Sequence, residues 1–250
     1  MHLLLTNDDG LSAPGLLALK QALEPLGKVT VIAPSRNYSA GGHRKTMHKP
    51  LRIDAAHLDD GAPAWVCSGA PSDCVALALL GFVKEKVDLV VSGINPGPNL
   101  GQDLTYSGTV TAALESVIAN VPGLAISTEA LGSADYAQAG QVAAAVARAV
   151  ARYGLPSGVA LNVNVPPGAT KGVRFTRQGW SIFHDRLVER LDPRGRPYYW
   201  IGGDRPGGLA DEGTDFWAME NGYVSITPLQ LDLTARSALP ALMEWKLDYL

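Results

Sequence analysis

Leu3-Leu4-Leu5-Thr6-Asn7-Asp8-Asp9-Gly10 is the stretch on which the reading of this chain turns. Its leucines form a short apolar run of the kind found in a buried strand of a parallel sheet. The expected strand covers Leu3–Asn7. The run stops at two adjacent carboxylates and a glycine. In open α/β sheets ligands bind beyond the carboxyl ends of the strands, so Asp8 and Asp9 stand where that architecture places chemistry. Two like charges side by side repel each other, and a bound divalent cation is one remedy. Hard cations such as Mg²⁺ prefer carboxylate oxygen. The plainer reading of Asp-Asp-Gly is a polar turn feeding a helix, and the stretch by itself leaves both open.

Downstream, the pattern alternates between strand and helix. Ser12 is a candidate helix cap and Pro14 suits a first turn. Leu16, Leu19, Leu23 and Leu26 recur at helical spacing, and Gly27 stops the helix. Val29–Ala33 is a second strand, parallel to the first through a right-handed crossover. Short strands are expected at Leu51–Asp54 and Trp65–Cys67, then a helix from Pro71 through Leu80. Further strands are expected at Val87–Ser92, Gly123–Ser127 and Val159–Val165, with helices at Val110–Ala119 and 135–153. The implied fold is α/β, with a mostly parallel sheet and helices on both faces.

Three connections carry polar chemistry. Pro34 to Thr46 leaves a strand's carboxyl end rich in Ser, Asn, Gly and cations, a suitable lip for an anion, though taken alone it reads first as an ordinary solvated loop. Gly93-Ile94-Asn95-Pro96-Gly97-Pro98-Asn99-Leu100-Gly101 has too many glycines and prolines for a simple turn, and would let backbone N–H groups approach a ligand. It lacks the spacing of a dinucleotide or P-loop fingerprint. Tyr106-Ser107-Gly108-Thr109 precedes a helix. Ser107 or Thr109 is first of all a cap, but a helix start with hydroxyls is also a phosphate cradle.

Beyond Gly172 the helical crossovers give way to a hairpin, with a turn at Asp192–Arg196 between Phe183–Leu191 and Tyr198–Ile201. Tyr198, Tyr199 and Trp200 on its second arm suggest packing against another subunit. Tyr223–Thr227 is a returning strand and Leu239–Leu250 a closing helix. Cys67 and Cys74 match no zinc or C-x-x-C pattern and are expected to be core thiols.

The 250 residues are 46% hydrophobic and 18% charged, enough for one large α/β domain over 1–250 in which about 172–235 forms the arm. A net charge of −3 offers no electrostatic reason for a nucleic-acid or membrane surface. No apolar run reaches the roughly 20 residues that span a bilayer. No basic, apolar leader stands at Met1, so the expected location is cytoplasmic.

The combination of Thr6-Asn7-Asp8-Asp9-Gly10, Ala33-Pro34 with Arg36-Asn37-x-Ser39, Ser92-Gly93-Ile94-Asn95-x-Gly97-x-Asn99-x-Gly101 and Tyr106-Ser107-Gly108-Thr109-Val110 resembles the stationary-phase survival protein SurE family of metal-dependent 5′/3′-nucleotidases. Leu161-Asn162-Val163-Asn164-Val165-Pro166-Pro167, Thr214-Asp215 and Tyr223 to Leu229 extend the match. The resemblance implies a Rossmann-like three-layer α/β/α fold with a C-terminal β-hairpin arm, assembled as a homodimer or homotetramer. It implies one divalent cation, Mg²⁺ or Mn²⁺, on Asp8, Asp9, Ser39 and Asn95, with Asp8 and Asp9 catalytic. The substrate side falls to Asn37, Gly93, Asn95, Ser107, Gly108 and Thr109, and the substrate would be a nucleoside monophosphate. Residues 40–46 depart from the family's small polar run, as do Thr111 and Leu114-Glu115-Ser116 from its helix pattern.

The expected reaction is phosphomonoester hydrolysis by a metal-activated water. An aspartyl nucleophile is a rival chemistry. A non-catalytic nucleotide-binding regulator of the same fold is a rival function. His43 is the histidine near the site, and reads as a solvated loop residue.

Overall fold

Strand β1 (His2–Thr6) is buried along its whole length and lies near the middle of the central sheet. The structure, a computed structural model, describes residues 1–130, 133–203 and 207–245, and the side chains of all of these except 133–135. Helix α1 (Pro14–Leu23) leads to β2 (Lys28–Pro34), which pairs with β1 in parallel. An antiparallel pair follows, β3 (Ile53–His57) and β4 (Pro63–Cys67), with β4 parallel to β2. Helix α2 (Pro71–Leu77), strand β5 (Leu89–Asn95), helix α3 (Gly108–Ile118), strand β6 (Gly123–Thr128), helix α4 (Ser133–Tyr153) and strand β7 (Val159–Val165) complete the alternation. Then come β8 (Val173–Phe175), β9 (Trp180–Ile182), β10 (Asp185–Leu191), β11 (Pro197–Gly203), β12 (Gly207–Leu209), α5 (Asp215–Glu220), β13 (Val224–Gln230) and α6 (Leu239–Met243). Among the described residues the central sheet has nine strands, in the order β3-β4-β2-β1-β5-β6-β7-β13-β8.

Strand alternation sorts the core into two layers. Leu3 and Leu5 point to the face covered by Leu16, Leu19 and Leu23 of α1 and by Ala139, Ala143 and Val150 of α4. Leu4 points the other way, with Ile32 and Val90, onto Cys74 and Val75 of α2 and Ala112 of α3. Each leucine of β1 is fully buried, a gain of about 1.5–3 kcal/mol per side chain. The α/β/α sandwich follows, and the carboxyl ends of β1, β2 and β5 fall on one edge because the three strands are parallel.

Several boundaries differ from expectation. Ala13, not Ser12, occupies the cap position of α1, and no side chain caps that helix. Leu26 falls in a 3-10 turn, Glu24–Leu26, where Pro25 cannot donate to the helix ladder. Strand β3 is an edge strand whose limits come from its partner: Ile53 faces Cys67 and His57 faces Pro63. β5 starts later than expected and runs through Gly93 and Ile94 to Asn95, shifting register against β6 between Ser92 and Asn95. Gly93, at φ +140°, permits this: a Cβ there would meet the Ile126 carbonyl oxygen at 2.4 Å. α3 starts two residues earlier than expected. The closing helix is shorter, and residues 246–250 of that expectation lie outside the described residues.

The C-terminal part departs from the parallel pattern. β13 runs antiparallel to β7, and β8 pairs with β13 on the outer edge. β10 and β11 form a separate two-stranded hairpin, Asp185 opposite Gly203 and Leu191 opposite Pro197. It exposes Leu187, Leu191, Tyr198, Tyr199, Trp200 and Ile201. Cys67 and Cys74 are both buried and free, as core thiols. No helix among the described residues is long and apolar enough to cross a membrane.

Candidate functional site

Asp8 stands two residues past the end of β1 and is 4% exposed. Its Oδ1 accepts a 2.6 Å hydrogen bond from the Thr109 hydroxyl. Burial raises the Asp8 carboxyl above its ordinary value, opposed by the Thr109 hydroxyl and by the backbone amides of Asp8, Thr109 and Gly108. The first turn of α3 is thus aimed at this carboxylate, where the positive end of a helix favours negative charge. Gly108 makes the approach possible, since a Cβ there would stand 2.7 Å from the Asp8 Cβ. Ser107 caps α3, its Oγ accepting from the Val110 N–H at 3.1 Å.

Asp9 is less enclosed. Burial, and next the Asp8 charge, push its carboxyl up to about 6. Its Oδ1 accepts from the Asn37 amide at 3.3 Å. Its Oδ2 is buried and has no partner. Asn37 in turn accepts from the Ser39 N–H at 2.7 Å, and the Tyr38 N–H donates to the Asp8 carbonyl at 2.7 Å. The loop after β2 is therefore folded onto the end of β1.

Asp8, Ser39, Asn95 and Ser107 line one cleft of about 330 Å³ at the carboxyl edge of the sheet. Four separate segments converge there. Asp9 lies beside it, on the wall of a neighbouring cleft of about 470 Å³ with Ser12, Arg36 and Tyr136. Asn95 turns its amide back to the Gly97 carbonyl at 2.6 Å, which leaves its side-chain oxygen free of that bond. Gly93 is packed against β6 and is not among the walls of the cleft. Thr109 is committed to Asp8 rather than to the open space.

The same cleft is lined by Asn99, Asp103 and Tyr106, for which the sequence suggested no role. Asn99 is held by a polar lattice: its N–H donates to Asn164 Oδ1 at 2.7 Å, and its carbonyl accepts from the amides of Asn162 and Asn164, each at 2.9 Å. Its own amide donates to Ser127 Oγ at 2.7 Å. Asparagines at alternate positions of an otherwise apolar strand were the available signal, because period-two spacing puts both on one face. Asp215 fixes the far end of the same loop, accepting from the N–H groups of Gly101, Gly179 and Phe216 at 2.8–2.9 Å.

The donor set suits a hard divalent cation. Asp8, Asp9, Ser39 and Asn95 offer only oxygen, two of them from carboxylates, and one carboxylate oxygen is buried without a partner. Among the described residues no cluster of three or more His, Cys, Asp or Glu side chains is placed for a metal, so softer, nitrogen- or sulfur-rich sites have no counterpart there.

A family model described as "Survival protein SurE" matches residues 3–185. A protein from Herpetosiphon aurantiacus named "5'-nucleotidase SurE" is 52% identical over 239 residues, 94% of each chain. One from Chloroflexus aggregans with the same name is 47% identical over 98% of this chain and 99% of its own length. The crystal structure titled "Sure Protein from Aquifex aeolicus" superposes with a TM-score of 0.83 at 41% identity, covering 97% of this chain and 98% of that one.

Proposed function

The chain belongs to the SurE family, and we propose from this that it is a 5′-nucleotidase, a phosphoric monoester hydrolase that releases phosphate from nucleoside monophosphates. The observation that carries the reading is the convergence of Asp8, Ser39, Asn95 and Ser107 on one cleft, beside an Asp9 oxygen that is buried without a partner. Asp8, Asp9, Ser39 and Asn95 would hold one divalent cation, Mg²⁺ or Mn²⁺, which when bound would supply neutralisation of phosphoryl charge and a lowered pKa for water.

The residues of the chain do the rest. Thr109 and the first amides of α3 oppose the rise that burial imposes on the Asp8 carboxyl, and so favour the charged form that a cation needs. Asn37 orients Asp9 through one oxygen and leaves the other free. Ser107 contacts the phosphate, and Asn95 contributes to both cation and substrate. The asparagine lattice holds the loop around Asn99 in place before substrate arrives, so little reorganisation accompanies the reaction. Tyr106, exposed at the cleft rim, presents a ring face to the nucleoside. Hydrolysis extends to 3′-monophosphates because the groups just named address the phosphoryl group rather than one sugar position. The protein works in the cytoplasm as a homodimer or homotetramer held by the β10–β11 arm.

The test is phosphate release from AMP, with and without EDTA and with Mg²⁺ or Mn²⁺ restored. Release abolished by EDTA and recovered with either ion supports the reading. Nucleotide binding without turnover under all of these conditions points instead to a regulatory binder.

A further inference from the structure

Residues 39–45 carry Ser39 to the cleft without regular secondary structure, and all but Gly42 are exposed. Such a segment needs tethers to hold one geometry. Its start is fixed by the Tyr38–Asp8 bond, and its end by the Thr46 N–H donating to Asp73 at 2.9 Å. Between them the segment meets α3. The Gly42 N–H donates to the Tyr106 carbonyl at 2.9 Å, and the Gly42 carbonyl, at 3.1 Å, shares the Thr111 hydroxyl proton with the nearer Ser107 carbonyl at 2.8 Å. The charged tether comes next: the Glu115 side chain, 5% exposed, accepts from His43 Nε2 at 2.9 Å and from Lys45 Nζ at 2.8 Å. Burial acts to raise the Glu115 carboxyl, but the bonds from His43 and Lys45 outweigh it and leave it below its ordinary value.

We propose that Glu115 is a positioning residue: it pins segment 39–46 to α3 through His43 and Lys45, and so sets where Ser39 stands relative to Asp8. α3 carries both ends of the arrangement. Its first turn holds Asp8 through Thr109, and further along the same helix Glu115 holds the segment that brings Ser39. A buried carboxylate bonded by the His43 ring N–H and by the Lys45 ammonium is a directional anchor, because its oxygens are satisfied only when both side chains lie over it. The inference rests on the phosphatase reading of the cleft for its kinetic arm, but not for its structural one.

The test uses Glu115→Gln, which keeps the shape and removes the charge. Lys45→Gln and Lys45→Arg accompany it; both change a side chain on the surface and leave the core intact. Hydrogen exchange in the metal-free protein should show the Ser39–Lys45 amides exchanging at least about tenfold faster in Glu115→Gln and Lys45→Gln. The amides of Leu3–Leu5 and Val90–Val91 should be unchanged, and Lys45→Arg should behave as wild type. Mn²⁺ titrated by calorimetry should bind about 10–100-fold more weakly in both glutamine variants, as is typical when the support of a ligand is lost. At saturating Mn²⁺, kcat with AMP should stay within about threefold of wild type, an effect on positioning rather than on chemistry. Unchanged exchange across 39–45, or unchanged Mn²⁺ affinity with only a lowered melting temperature, would overturn the proposal. If Glu115→Gln fails to fold, Lys45→Gln decides on the same readouts. A wild type without phosphatase activity would sink the proposed function, and exchange with Mn²⁺ binding would still decide this one.

Discussion

Replacing Asp9 with asparagine separates what its charge does for folding from what it does for chemistry. The carboxyl is held at about 6 in the folded chain, against an ordinary value of 3.8. A raised folded value means that the charged form is disfavoured by the fold. Without cations, the relative stability is complete below about pH 4 and is lost as pH rises through 6. At about 1.4 kcal/mol per tenfold, that rise corresponds to about 3 kcal/mol. Asp9 is partly open to solvent, so screening reduces this to about 1–2 kcal/mol. An asparagine does not titrate and escapes the penalty. In EDTA, urea unfolding should therefore show the variant gaining about 1–2 kcal/mol on wild type between pH 4 and pH 7, a difference of several degrees in Tm for a chain of this size. Adding Mn²⁺ at pH 7 should reverse the order, since an ion at 100 times its Kd stabilises its binder by about 2.7 kcal/mol. Phosphate release by the variant should fall by at least about a thousandfold, in line with the several kcal/mol a cation contributes. A stability gap that does not widen with pH would refute the electrostatic reasoning, and near-wild-type turnover at low Mn²⁺ would refute the assignment of Asp9.

Three further outcomes can be checked. Gly108→Ala forces a Cβ to within 2.7 Å of the Asp8 Cβ. Displacing the carboxylate should cost about 10²-fold in kcat/KM on AMP, while circular dichroism stays that of wild type; full activity would show that the close approach is irrelevant. Thr109→Val removes a bond that lowers the Asp8 carboxyl. The Asp8 value should rise further, so Mn²⁺ binding followed by calorimetry should fail at a higher pH on the acid side than in wild type. An identical acid limb would count against Thr109 as a group that lowers the Asp8 carboxyl. Removing residues 186–202 should reduce the mass measured by light scattering to that of a single chain, and an unchanged assembly would dissociate the aromatic hairpin from oligomerisation.

The parallel half of the fold was legible because its signals are local. The leucines of β1, the valine runs of β5 and β7 and the leucine spacing of α1 each lie within a few residues of one another, and a buried strand or amphipathic helix needs nothing more. Edges were not legible in the same way. β3 is defined by its partner, and β9 pairs with β12 across a long excursion of chain. The reversal of β13 against β7 left no mark in composition. Asp8 and Ser107 came into view from their own places at a strand end and a helix start, whereas Ser39 and Asn95 came into view as site residues through the family resemblance. The support behind them was hidden: Asn162 and Asn164 act on Asn99 from another strand, and Glu115 acts on His43 and Lys45 from within a helix. Polar residues that serve a distant backbone look, in one dimension, like interruptions of an apolar pattern.

The loop that forms one wall of the cleft depends on residues made long after it. The Asn99 N–H donates to Asn164, 65 positions later, and the Gly101 N–H to Asp215, 114 positions later. A chain that ends before β7 therefore contains Asp8, Asp9 and the loop itself, but neither Asn164 nor Asp215, the two residues that hold that loop from later in the sequence.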